Sequence, residues 1–297
     1  MAGKPKVGFA GAGLMGHGMA KNIVEKGFPL TVLGHRNRKP VDDLVGRGAE
    51  EATDAEGLVA ASEIVVLCLP GSPEVEGFIA RALAVDCAGR IFVDCSTSNP
   101  VSTRLLAAAC TEKGAALVDA PLSRTPKEAW EGTLDVMLGA GEVEAERVRP
   151  VLECFAGRIV RVGGVGAGHT MKLLNNFVSL GYASLYAEAL AIGARNGIDA
   201  ATFDSVISGG RMDCGFYQTF MRYAVHGDRE AHKFALRNAH KDMRYLLSVA
   251  TESGIASSMA ASVKNGLSIA EATGHGDDYL PLLVDVVAKL NGIDRPG

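Results

Sequence analysis

Lys172 is the residue most clearly placed to do chemistry. It stands near the start of a long apolar run, Thr170 to Arg195, and is followed by Asn175, Asn176 and Ser179 at i+3, i+4 and i+7. On a helix these positions share one face, a polar stripe on an apolar rod. Leu173, Leu174, Phe177, Leu180 and Leu185, among others, cover most of the remaining circumference, so the helix is expected to be buried nearly all round. A lysine in such surroundings needs partners or a task. As an ammonium it can stabilise a developing oxyanion and give it a proton; as an amine it can take one away.

A second stretch is built to hold a ligand. "KVGFAGAGLMG" reads as a strand running into Gly11-x-Gly13-x-x-Gly16 and then a helix, the context a dinucleotide fingerprint requires. Gly11 permits the tight turn, Gly13 keeps side chains away from a pyrophosphate, and Gly16 lets the helix pack close to the sheet with its N-terminal amides facing the phosphates. Leu14 and Met15 lie in the same turn. The next strand ends "TVLGHRNRK" (31–39), with no carboxylate to accept ribose hydroxyls but with Arg36, Asn37, Arg38 and Lys39. A cationic end suits a 2′-phosphate, so NADP is the expected cofactor, with NAD as the alternative.

The elements that position these residues follow from the pattern. Short apolar runs at 6–10, 30–34, 63–70, 90–96, 115–121, 133–139 and 158–163 alternate with helical stretches such as 15–25 and 101–113. Most are continuous runs, the mark of strands buried on both faces. After residue 163 no further strand is evident, and helices are expected at about 200–209, 213–226, 233–253, 257–273 and 277–291. The expected architecture is α/β: a Rossmann-type doubly wound sheet over 1–163, then an all-helical domain over 164–297 for substrate and oligomerisation. The second domain begins with a long interdomain helix at about 169–195.

Composition narrows the classes. The 297 residues are 47% apolar with a net charge of −4, which gives no reason to expect nucleic acid or an anionic membrane as partner. Lys172, Asn175, Asn176, Glu188 and Arg195 argue against reading the long apolar segment as a membrane span. The opening "MAGKPKVGFAGAG" lacks the features of a secretory or transit segment, so a cytoplasmic location is expected. Six scattered cysteines with no CxxC pair read as reduced thiols, most of them buried, and no metal site is expected because the histidines do not cluster with them.

These motifs together resemble the β-hydroxyacid dehydrogenases, the family of 3-hydroxyisobutyrate dehydrogenase and tartronate semialdehyde reductase. "GAGLMGHGMAKN" (11–22), "LP" (69–70), "VDCSTSNP" (93–100), "DAPLS" (119–123) and "GAGHTMKLLNN" (166–176) occur in the family's order over nearly the whole chain, with "KDM" (241–243) as the late Lys-Asp pair. The resemblance implies that the first motif binds pyrophosphate and that Leu69 and Pro70 flank the adenosine. It puts Ser96 and Thr97 beside the nicotinamide ribose and Lys241 against the bound cofactor. It further implies hydride transfer between nicotinamide C4 and a small β-hydroxyacid or its semialdehyde, with Lys172 as general acid and base and Asn176 orienting the same oxygen. A homodimer or homotetramer is implied as well.

The substrate loop departs from the family. Where members commonly carry Ser-Gly-Gly, this chain has Ser123, Arg124 and Thr125, and Trp130 stands where a small residue is usual. An arginine fork suits an oxyanion, and Arg-Thr here resembles sulfolactaldehyde reductase, a branch whose substrate carries a sulfonate. Ser123, Arg124, Thr125 and Asn176 are therefore the candidate substrate ligands, unless Arg124 instead ties the loop to a neighbouring carboxylate. Imine reductases share the expected fold but generally lack the lysine matching Lys172. 6-Phosphogluconate dehydrogenase is larger. A non-enzymatic NADP-binding scaffold would not need Lys172 and Asn176.

Overall fold

A computed structural model describes residues 3–34 and 36–293. The chain divides into two compact units, 1–172 and 173–297. In the first, β1 (Val7–Ala10), α1 (Gly16–Glu25), β2 (Leu30–Leu33), α2 (Arg38–Gly46), β3 (Glu50–Ala52), α3 (Ala55–Ala60) and β4 (Ile64–Leu67) are followed by α4 (Ser72–Ala82), β5 (Ile91–Asp94), α5 (Pro100–Glu112) and β6 (Ala116–Asp119). The strands from β1 to β6 pair in parallel in the order β3-β2-β1-β4-β5-β6. The order reverses at β1 and β4, and the carboxyl ends of such strands are where ligands bind in open α/β sheets. The chain then adds β7 (Leu122–Ser123), α6 (Pro126–Glu131), β8 (Leu134–Gly139), α7 (Glu142–Leu152) and β9 (Ala156–Gly163). β8 runs antiparallel to β6 and β7, and β9 runs parallel to β8.

β1, β4 and β5 are buried at every position, as their continuous apolar runs require. Successive residues feed opposite layers: Phe9, Val66 and Val93 pack with Ile23 and Phe155, while Val65 and Phe92 pack with Leu58 and Phe78. Two strands were not evident in the sequence. β3 reads EEA and β7 spans only two residues, too short for any apolar period to register.

α8 (Ala167–Arg195) is 29 residues long. Residues 164–172, read from the sequence as the opening of the helical domain, group with the sheet unit. The second unit continues with α9 (Ala200–Ile207), α10 (Gly215–His226), α11 (Leu236–Glu252), α12 (Ser258–Ala270) and α13 (Leu283–Leu290). Its core includes Leu180, Tyr217, Phe220, Leu236, Leu267 and Val284. The helices expected over 257–273 and 277–291 are interrupted. Gly274 turns left-handed at φ 92° inside a wide turn at 271–275, and a 3₁₀ turn containing Pro281 precedes α13. Ala235 and Tyr279 form an antiparallel bridge, the one strand-like pairing among the described residues of this unit.

α8 is not buried all round. Leu174, Val178, Tyr182, Leu185 and Ile192 are exposed by 41–66%. Their spacing places them along one side of the helix. Apolar composition tells a sequence reader that a face must be covered, not that its own chain covers it.

Candidate functional site

The glycine turn after β1 has the geometry a pyrophosphate needs. Gly11 sits at φ 101°, and a Cβ there would fall 2.2 Å from the Cys68 carbonyl oxygen. A Cβ on Gly16 would lie 2.0 Å from the Gly11 oxygen and 2.9 Å from the Phe9 ring, so α1 can approach the sheet only through glycine. A Cβ on Gly13 would meet nothing within 4 Å and would look onto open space. α1 starts with no side-chain cap, and an uncapped helix start is a ready oxyanion site. Leu14 is 87% exposed at the rim, with Met15 half-buried behind it. These residues fit a dinucleotide.

The end of β2 itself carries no carboxylate. A carboxylate is present, supplied by the neighbouring strand: Val32 pairs with Glu51 in β3. A Cβ on Gly34 would lie 2.5 Å from Glu51 Oε1. Arg38 engages both Glu51 oxygens, at 2.6 and 2.9 Å, and Asp42 at 2.8 Å. The Arg38 guanidinium holds Glu51 below the usual carboxylate range. Arg36 and Asn37 are exposed beside this cluster, Asn37 at the start of α2.

The largest feature missed from the sequence is a buried polar network under the loops that follow β4 and β5. β5 and β6 end on Asp94 and Asp119, paired in register. Asp119 accepts from the Gly166 and His169 amides, each at 2.7 Å, which pins the start of α8 to the sheet. Burial pushes the Asp119 carboxyl above its ordinary range, and His169 with the two amides draws it back. The His169 ring is wholly buried; Nδ1 lies 2.8 Å from Thr103 Oγ1 and Nε2 3.1 Å from the Ser96 carbonyl oxygen. A carbonyl only accepts, so Nε2 carries a hydrogen. Asp94 accepts from the Ser96 amide at 2.9 Å and the Ser98 hydroxyl at 2.8 Å, and the Leu69 amide donates to Ser96 Oγ at 2.9 Å. Leu69 and Thr97 are half-buried and Pro70 is exposed on the loops so fixed. The available signals were two acids closing consecutive strands and a histidine inside a glycine-rich helix entry.

Lys172 lies half-buried one turn after His169. Further along α8, Asn176 is buried and donates through Nδ2 to Asp242 Oδ2 at 2.7 Å. One hydrogen of its amide nitrogen thus goes to an acid on α11, a partner the spacing along α8 could not reveal. Lys241 sits 3.5 Å from Asp242 Oδ1 and over the Tyr245 ring.

The loop from Ser123 to Trp130, expected to hold substrate, has its own geometry. Ser123 ends β7 half-buried. Arg124 has φ 87°, the one positive φ among the described non-glycine residues, at a position where the family's glycine would be relaxed. Its Nε donates to Asp135 at 3.0 Å, which ties the loop to a neighbouring carboxylate. Thr125 caps α6 in a reciprocal capping box with Glu128. Trp130 packs against α1 and α2: His17 meets its edge, and Lys21 and Arg47 lie over the ring.

Comparison with known proteins agrees with this geometry. Residues 6–164 match the family described as the NAD-binding domain of 6-phosphogluconate dehydrogenase, and 166–285 the NAD-binding family of NADP-dependent 3-hydroxyisobutyrate dehydrogenase. The chain is 32% identical to 2-(hydroxymethyl)glutarate dehydrogenase of Eubacterium barkeri over 98% of both chains. It is 29% identical to 3-sulfolactaldehyde reductase of Escherichia coli over 94% of this chain and 95% of that one. A solved 3-hydroxyisobutyrate dehydrogenase from Mycobacterium tuberculosis, with L-serine, superposes with a TM-score of 0.86 at 24% identity, covering 96% of this chain and 99% of that one. This chain belongs to the β-hydroxyacid dehydrogenase family and is an NAD(P)-dependent oxidoreductase acting on the CH–OH group of a hydroxyacid.

Proposed function

We propose that the protein interconverts a small anionic β-hydroxyacid and its semialdehyde, with NADP preferred and Lys172 as general acid in reduction and general base in oxidation. The observation that carries this reading is the rooting of Lys172. It sits one turn past His169, whose amide and ring are held by Asp119, Thr103 and the Ser96 carbonyl. A cation on so fixed a helix start can meet a substrate oxygen without reorganising. When bound, the nicotinamide supplies a hydride to the carbonyl carbon or receives one from the carbinol carbon. Gly11, Gly13, Leu14, Met15 and Gly16 would hold the pyrophosphate, Arg36 and Asn37 the 2′-phosphate, and Leu69, Pro70, Thr97 and Lys241 the remainder. The Lys172 ammonium gives its proton to the substrate oxygen as the C–H bond forms, and the amine removes the hydroxyl proton in reverse. Asn176, held by Asp242 through one Nδ2 hydrogen, orients that oxygen with the other. The exposed apolar side of α8 is the contact between copies of the chain in a homodimer or homotetramer.

A sulfonated aldehyde is the second reading, favoured by Arg124. A side chain held at φ 87° costs roughly 1–3 kcal/mol, strain that glycine would relieve. With Nε on Asp135, its remaining N–H groups suit an oxyanion, with Ser123 and Thr125 on either side. Turnover of small 3-hydroxyacids, sulfolactaldehyde and tartronate semialdehyde with NADPH and NADH tests both readings. No turnover on any of them refutes the first. Arg124→Ala is expected to lower kcat/KM by about 10- to 150-fold, mainly through KM. Arg124→Gly should shift preference from sulfolactaldehyde toward tartronate semialdehyde, and an unmoved ratio removes the sulfonate reading.

A further inference from the structure

The carboxylate at the end of β2 comes from another strand. Glu51 lies in β3, beside Val32 in the sheet register. The Gly34 amide donates to the Ala52 carbonyl at 2.9 Å, which holds the two strand ends together. Glu51 Oε1 therefore occupies the space next to Gly34, where a dinucleotide fold places the acid that accepts ribose hydroxyls. Left bare, it would favour a 2′-hydroxyl and repel a 2′-phosphate. It is not bare. Arg38 grips both of its oxygens, and Asp42 takes the same guanidinium.

We propose that the Arg38–Glu51 pair sets the cofactor choice: Arg38 masks a carboxylate that would otherwise select NAD, leaving Arg36 to meet the 2′-phosphate. This rests on the NADP reading and adds a distinct element to it, since the discriminating acid is already present and is cancelled within the chain. Arg38 does not replace the acid; it neutralises it. The three charges are Arg38, Glu51 and Asp42, and the geometry is bidentate only toward Glu51, the strongest form of such a pair. All are part-exposed, so substitutions here leave the core untouched.

The test is calorimetric titration of NADP⁺ and NAD⁺ into the parent, Arg38→Gln, Glu51→Gln and the double variant. The readout is the ratio of the two dissociation constants, with Tm measured on the same samples. Arg38→Gln is expected to shift the ratio toward NAD⁺ by about tenfold or more, the low end for a charge-assisted contact. In the double variant most of that shift should disappear, because no carboxylate remains to be unmasked. If Arg38→Gln moves the ratio equally whether residue 51 is Glu or Gln, Arg38 acts as a plain cation and the proposal is overturned. It is overturned too if the ratio does not move. A parent that binds NAD⁺ more tightly than NADP⁺ ends the NADP reading instead, while the coupling between positions 38 and 51 is still decided by the four ratios.

Discussion

The first turns of α8 hide polar groups, whereas its later turns display apolar ones. His169 is completely buried and its amide is fixed by a buried acid, while Val178, Leu185 and Ile192 are each more than half exposed. Both stretches belong to one continuous helix of apolar composition. Hydropathy alone therefore does not say what a helix does. Here the polar beginning is held in place by hydrogen bonds, and the apolar remainder leaves an exposed side, the one proposed to meet another copy.

The difference can be broken at either end. The largest effect is expected from Lys172→Ala, with kcat falling by about 10²- to 10⁴-fold while cofactor affinity and assembly stay as they are. A variant retaining most of its turnover would take Lys172 out of the reaction. Asp119→Ala, which strands two buried amides, should cost about 2–3 kcal/mol. That corresponds to a Tm lower by roughly 4–12 °C for a domain of this size. Stability unchanged in calorimetry would mean that the start of α8 is held by something else.

Charging the other end should act on assembly instead. Leu185→Glu on the exposed side is expected to lower the mass measured by light scattering at micromolar concentration and to shift monomer stability by only about 0.5 kcal/mol. A parent that is already monomeric would refute the contact. The smallest effect concerns pH. The folded Asp119 pKa is raised by burial, so this group lowers stability as pH rises from its unfolded value through its folded one. The deficit is complete above that and absent at lower pH. Relative to Asp119→Asn, the parent should lose ground over the range that runs upward from the ordinary carboxylate pKa, about 4. A constant difference in chemical denaturation across that range would contradict the burial effect.

What the sequence revealed depended on how local each requirement is. Gly11, Gly13 and Gly16 each answer to a turn, an open approach or a helix contact within a few residues, so their roles were readable in order. Lys172 stood out because a cation interrupts an apolar run. Glu51 and the Asp94–Asp119 pair were not readable, because they acquire meaning only through strand register: Val32 opposite Glu51, Asp94 opposite Asp119. Asn176 shows its helix by spacing alone, but its partner Asp242 lies 66 residues away in sequence. Arg124 was recognised as foreign to its loop, yet its left-handed backbone is a property of the folded chain. β3 gives no apolar signal, because two of its three residues are glutamates.

The contact between α1 and α6 limits how this enzyme can be re-engineered. A Cβ on Gly18 would lie 2.6 Å from the Trp130 amide nitrogen, and Asn22 on α1 bonds to the Ala129 carbonyl at 2.9 Å. The helix that starts at the glycine turn and the helix that follows Arg124 and Thr125 thus meet backbone to backbone. Loops transplanted from relatives would arrive with their own α6, cut to a different α1. Exchanging residues 122–131 as a cassette would disturb the nucleotide turn as well, so the smallest transferable part is both helices together.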